Sequence, residues 1–116
     1  MSADKINAEQ AVAWARAHGA VPHLVDGSTV GSKAEAIDAI AAALDFPGSH
    51  VRTLDALFDC LTDLCWLPEG EHVLVWARHQ VLAEQDWQAY HQVRSVLEKG
   101  AAAGTARRLT VMFTTS

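Results

Sequence analysis

Three strand-like runs separated by helical sequence predict a small α/β domain whose strands run parallel, with helices packed on the sheet. The runs are residues 21–25, 72–76 and 109–113. Consecutive strands joined through helices need crossover connections, which are right-handed and favour parallel pairing. The middle run, His72-Val73-Leu74-Val75-Trp76, is almost continuously apolar, as suits a strand covered on both faces. With 116 residues, one domain buries roughly two-thirds of the unfolded surface and folds without disulfide or metal.

Each element has a local cause. Asn7-Ala8-Glu9-Gln10 is a capping box with Asn as cap, and its helix ends before Gly19. Trp14 on that helix is expected to pack on the domain. The first strand tolerates Pro22 near its start, and Asp26-Gly27-Ser28 turns the chain away. Ser32-Lys33-Ala34-Glu35 is a second capping box; Ile37, Ile40, Ala41 and Leu44 follow at helical spacing until Phe46-Pro47 ends the helix. A third helix is expected from about Leu54 to Trp66, and Pro68-Glu69-Gly70 turns into the middle strand. Residues 80–103 are helical in pattern, broken near Asp86, which caps a second stretch bearing Tyr90, Val93, Val96 and Leu97; Gly104 stops it. There is no internal repeat or linker.

The third helix carries the strongest functional signal. At 100° per residue, Leu54, Leu57, Phe58, Leu61, Leu64 and Cys65 gather on one side, and Asp55, Asp59, Thr62 and Asp63 on the other. The three carboxylates follow at i,i+4 spacing, where like charges cost roughly 0.2–0.5 kcal/mol per pair. Asp55 has a structural explanation, because with Thr53 as cap it lies in the first turn, where the helix dipole favours a carboxylate by roughly 0.3–1 kcal/mol. Asp59 has none: its neighbours three and four residues away are Ala56, Thr62, Asp55 and Asp63. A cationic partner relieves that repulsion. The net charge is −5, and residues 53–77 hold Asp55, Asp59, Asp63, Glu69 and Glu71 with no Lys or Arg. So concentrated a negative field argues against direct nucleic-acid binding, which needs a basic stripe, and favours a basic protein as partner.

Other chemistry is weakly supported. No apolar run approaches the roughly 20 residues needed to span a bilayer, and Met1-Ser2-Ala3-Asp4-Lys5 adjoins no hydrophobic signal core, so a cytoplasmic protein without a membrane partner is expected. Cys60 and Cys65 fall about 140° apart around one helix, poor disulfide geometry, and read as reduced core residues. Cys60, Cys65, His72 and His79 lack paired zinc-ligand spacing, and His18, His23, His50 and His91 form no motif. No phosphate-binding Gly loop or nucleophile elbow occurs, so no catalytic residue, metal or cofactor is assigned.

Leu54-Asp55-Ala56-Leu57-Phe58-Asp59-Cys60-Leu61-Thr62, preceded by Leu44-Asp45-Phe46-Pro47, resembles the signature of the barstar family of intracellular ribonuclease inhibitors. Leu24-Val25-Asp26-Gly27 and Ser32-Lys33-Ala34-Glu35 are similar to that family's first strand, turn and first helix. The resemblance implies a barstar-like domain over residues 21–116, a small three-stranded parallel sheet packed with helices, and an N-terminal helical extension over residues 1–20. It further implies a protein that blocks a ribonuclease active site with the acidic helix and the loop before it. The Asp59 carboxylate then stands in for a substrate phosphate among Arg and His side chains, Asp55 is a second acidic contact, and Leu54 and Phe58 lie in or beside the contact surface. Phe58 also fits a core position on the apolar face. Ser49, His50 and Asp63 complete the expected partner-binding set. Where the family has an aromatic pair, a glycine and an asparagine before the helix, this chain has Ser49-His50-Val51-Arg52-Thr53, which removes an aromatic anchor and adds a positive charge. Near the end of the last long helix, the family's further acidic contact falls at Glu98 or Lys99. The alternative implied by the altered loop is an antitoxin, immunity or regulatory module bound to a protein other than an RNase.

Overall fold

The computed structural model describes residues 7–46, 51–64, 66–103 and 108–115. Strands β1 (Val21–Asp26), β2 (Glu71–Ala77) and β3 (Arg108–Thr114) form one parallel sheet in the order β1-β2-β3. Each strand extends its expected run by a residue at one or both ends. As the central strand, β2 buries His72, Val73, Leu74, Val75 and Trp76, which explains its unbroken apolar composition.

Alternation along the strands divides the core between the two sheet faces. On one, Val25, Leu74, Trp76, Leu109 and Phe113 pack with α2 (Lys33–Ala43), α3 (Leu54–Asp63), α4 (Gln80–Gln85) and α5 (Trp87–Ala103), which contribute Ile37, Ile40, Leu57, Leu61, Leu82, Val93 and Leu97. On the other, α1 (Ala8–Ala17) lays Ala11 and Ala15 against Val73 and Val75, with Met112 at the margin. Alanines let the helix approach the sheet closely. The predicted capping box starts α1: Gln10 N–H donates to Asn7 Oδ1 at 2.7 Å and Asn7 N–H donates to Gln10 Oε1 at 3.0 Å. Trp14, however, does not enter the core. It is 43% exposed and stacks on His18 with ring centroids 4.2 Å apart, because the buried face of α1 belongs to Ala11 and Ala15.

At α2 the box is offset. Ser32 Oγ accepts from Glu35 N–H at 3.2 Å, while Glu35 Oε1 accepts from Gly31 N–H, one residue before the cap. Asp86 Oδ1 accepts from Ala89 N–H at 3.1 Å, so the break between α4 and α5 lies where its capping chemistry put it. Gly27 is required by close approach: a β-carbon there would collide with the Ala77 carbonyl and lie 2.8 Å from that of Arg78. The expected extent of α3 needs correction. It ends at Asp63, not Trp66, because Leu64 takes a left-handed conformation with φ 47°. That costs a non-glycine residue about 1–2 kcal/mol, which full burial of the Leu64 side chain, worth about 1.5–3 kcal/mol, offsets. No helix among the described residues is long and apolar enough to cross a membrane.

Candidate functional site

Thr53 starts the acidic helix, its Oγ1 accepting from Ala56 N–H at 3.1 Å. Leu57 and Leu61 are completely buried, and half-buried Leu54 packs beside them. This anchoring turns Asp55, Asp59 and Asp63 to solvent, where all three are exposed. Among the described residues none of these carboxylates accepts a hydrogen bond or forms an ion pair. The helix therefore offers a row of acids with its neighbouring cations left to a partner. With α3 ending at Asp63, the dipole favours Asp55 at the positive end and opposes Asp63 at the negative end.

The position of this row depends on Gly100 of α5. A β-carbon at Gly100 would sit 2.7 Å from Leu61 Cβ and 2.9 Å from Leu61 Cδ1. A Cβ cannot retreat without moving its backbone, so Gly100→Ala is expected to push α3 outward. Overpacking costs about 1–3 kcal/mol, against a gain of about 1 kcal/mol in helix propensity. The net expectation is a lower melting temperature for Gly100→Ala than for wild type, and a deficit that persists when Gly100→Ala is added to Leu61→Ala, because the alanine keeps the clashing Cβ; thermal melts of the three variants check it.

Phe58 is half-exposed and stands outside the buried cluster, so its position on the apolar side of the helical wheel does not make it a core residue. Thr62 is half-buried and donates its hydroxyl to the Asp59 carbonyl at 2.8 Å. Cys60 is a half-buried free thiol against the core. Burial, with Asp59 and Asp63 adding, pushes its pKa up, so it remains a poor nucleophile at neutral pH. Arg52 is exposed just before the cap. Ser49, His50 and Cys65 lie outside the described residues. Glu98 accepts from Arg94 Nε at 2.9 Å, an exposed i,i+4 pair, and Lys99 is exposed beside it. Glu71 meets Arg108 at 3.5 Å. Two surface concavities, of about 230 and 150 Å³, are lined mainly by α5 and include none of the α3 acids. A convex acidic helix suits a protein partner better than a small molecule.

A feature absent from the sequence reading is the pairing of His23 on β1 with His72 on β2, Nε2 to Nδ1 at 2.9 Å. Parallel register places Val21 opposite His72 and His23 opposite Leu74, so the two rings are diagonal neighbours on one face. Only knowledge of the register reveals this.

The model of the family Barstar (barnase inhibitor) matches residues 21–115. That span holds β1 to β3 and α2 to α5 and leaves α1 outside. No curated protein matches the sequence. The match covers most of the chain, including the acidic helix and every strand of the sheet. The protein belongs to the Barstar family.

Proposed function

We propose that this protein inhibits a ribonuclease by laying α3 and the loop before it over the enzyme's cationic active site. The observation that carries the reading is the exposed row Asp55, Asp59 and Asp63, which has no cationic partner among the described residues. In the bound state the Asp59 carboxylate takes the place of a substrate phosphate and accepts charge-assisted hydrogen bonds, for which Arg is the best donor. Asp55 adds a second acidic contact and Asp63 steers approach. Half-exposed Leu54 and Phe58 supply apolar area beside the acids, and Ser49 and His50 belong to the covering loop. Residues 21–116 form the inhibitor domain, and residues 1–20 are an extension outside the contact surface. The inhibitor acts in the cytoplasm, protecting the cell's own RNA, and has no catalytic residue, cofactor or direct nucleic-acid contact.

The target need not be barnase itself, because the loop lacks the family's aromatic pair and exposed Arg52 adds positive charge where a basic enzyme approaches. Identifying the protein that co-purifies with the chain, then titrating its ribonuclease activity, tests the reading. Stoichiometric loss of activity supports inhibition. A co-purifying partner that lacks nuclease activity favours an immunity or regulatory module instead.

Steering gives an independent check. Raising salt from 0.1 M to 1 M shortens the Debye length from about 10 Å to about 3 Å, so association is expected to slow by about tenfold or more while dissociation changes little. Stopped-flow association rates that stay flat across this range exclude the electrostatic mechanism.

A further inference from the structure

His23 and His72 form the middle of a chain of polar contacts. His23 Nδ1 lies 3.1 Å from the Ala43 carbonyl, His23 Nε2 2.9 Å from His72 Nδ1, and His72 Nε2 2.8 Å from the Pro68 carbonyl. A carbonyl oxygen only accepts, so His23 Nδ1 and His72 Nε2 each carry a hydrogen. Two neutral rings own one ring N–H each, and both are then committed to the carbonyls. The facing nitrogens are left lone pair to lone pair unless one further hydrogen lies between them. One imidazole and one imidazolium complete all the bonds, whereas two imidazolium rings set N–H against N–H.

The chain brackets the recognition helix. Ala43 is the last residue of α2 and Pro68 follows α3, so the two carbonyls stand at either end of the segment that carries the acidic row. Trp66 ties the same ends: its Nε1–H donates to the Leu44 carbonyl at 2.9 Å, and its ring meets Phe46 edge-on at 5.4 Å. We propose that His23 and His72 form a binding site for a single proton, and that uptake of a second proton in mild acid loosens the clamp at the ends of the segment that carries the recognition helix. The control of binding rests on the inhibitor reading; the proton count does not.

The surroundings assign the neutral ring to His23. His23 is held below the ordinary histidine pKa, chiefly by burial and also by His72; the Ala43 carbonyl and Asp45, at the end of α2, oppose this. His23 Nε2 is therefore the acceptor of the hydrogen shared between the rings. Across from His72, β3 presents apolar Leu109. The acids of the flanking elements, Glu69, Glu71 and those of α3, are exposed, and Glu71 is engaged by Arg108. On α5, Glu98 and Lys99 are also exposed, and Glu98 is engaged by Arg94. A histidine in the unfolded chain takes its proton near pH 6.5, and the folded pair takes its second proton below that. Between those values the unfolded state binds more protons, so stability falls as the pH drops from about 6.5 through the lowered value.

Long-range proton–nitrogen NMR spectra of the full ¹⁵N-labelled chain, from pH 8 to pH 4.5, test the site. At neutral pH one ring is expected as imidazolium and its partner as the neutral Nδ1–H tautomer. The second step is expected below the usual histidine value, with the Trp66 indole N–H exchanging about tenfold faster across it. His23→Gln offers an amide oxygen to His72 and takes up no second proton, so it is expected to keep the fold and remove the acid step from Trp66 exchange. Two rings that are both neutral at pH 7 and titrate independently near 6.5 overturn the proposal. So does Trp66 exchange that is equally acid-sensitive in His23→Gln. With a partner nuclease, acid-accelerated dissociation in wild type and its loss in His23→Gln complete the assignment. A chain that binds no nuclease but shows the shared proton defeats the inhibitor reading alone.

Discussion

Asp59→Ala is expected to weaken inhibition by roughly 30- to 5,000-fold, the equivalent of about 2–5 kcal/mol, because it strips the partner from a cation desolvated at the interface. The free protein is not expected to suffer. Asp59 is exposed, and its carboxylate has no hydrogen-bond partner among the described residues, so its removal takes no contact from the fold. It also relieves two like-charge pairs, each worth roughly 0.2–0.5 kcal/mol. The melting temperature should therefore hold or rise. Asp55→Ala is expected to have an intermediate effect on binding and to lose the roughly 0.3–1 kcal/mol of a carboxylate at a helix start. Asp63→Ala should mainly slow association, since it lies at the far end of the helix. Titrating a partner nuclease with each folded variant yields the ranking, and near-wild-type inhibition by Asp59→Ala rules out the phosphate-mimic mechanism.

Removing residues 1–20 is expected to lower stability by about 3–6 kcal/mol while leaving affinity for the partner unchanged. The reason is the second sheet face. Val73 and Val75 are covered by Ala11 and Ala15 of α1, and exposing two such side chains costs about 1.5–3 kcal/mol each. A domain has only about 5–15 kcal/mol in total, so the loss is a large share. The acids of α3 belong to the helical layer on the opposite face and keep their anchoring on Leu57 and Leu61. Chemical denaturation and affinity measurements on the same truncated protein separate the two effects. A truncated chain that unfolds normally yet fails to bind places part of the interface on the extension.

Local chemistry made much of this protein legible. Strand identity followed from apolar runs, helix starts from Asn7, Ser32, Thr53 and Asp86, and the outward row of acids from helical spacing alone. These are short-range properties, set within a turn or two of chain. Exposure of Phe58 and Trp14 was not legible, because a helical wheel ranks faces by polarity but does not say how far a partner element reaches across them. The true end of α3 was hidden for a related reason. Leu64 adopts a left-handed conformation that its own identity disfavours, and only the buried site awaiting its side chain offsets the strain.

The sequence by itself determined the fold class, the capped helices and the acidic face, since each is encoded in spacing between near neighbours. Tertiary structure alone decided how closely α3 approaches α5, through Gly100 against Leu61, and that α1 closes the sheet's second face. It alone brought His23 to His72, 49 residues away in the chain. Those outcomes depend on strand register and helix crossing, which are settled by the simultaneous burial of distant side chains and carry no signature in any short segment.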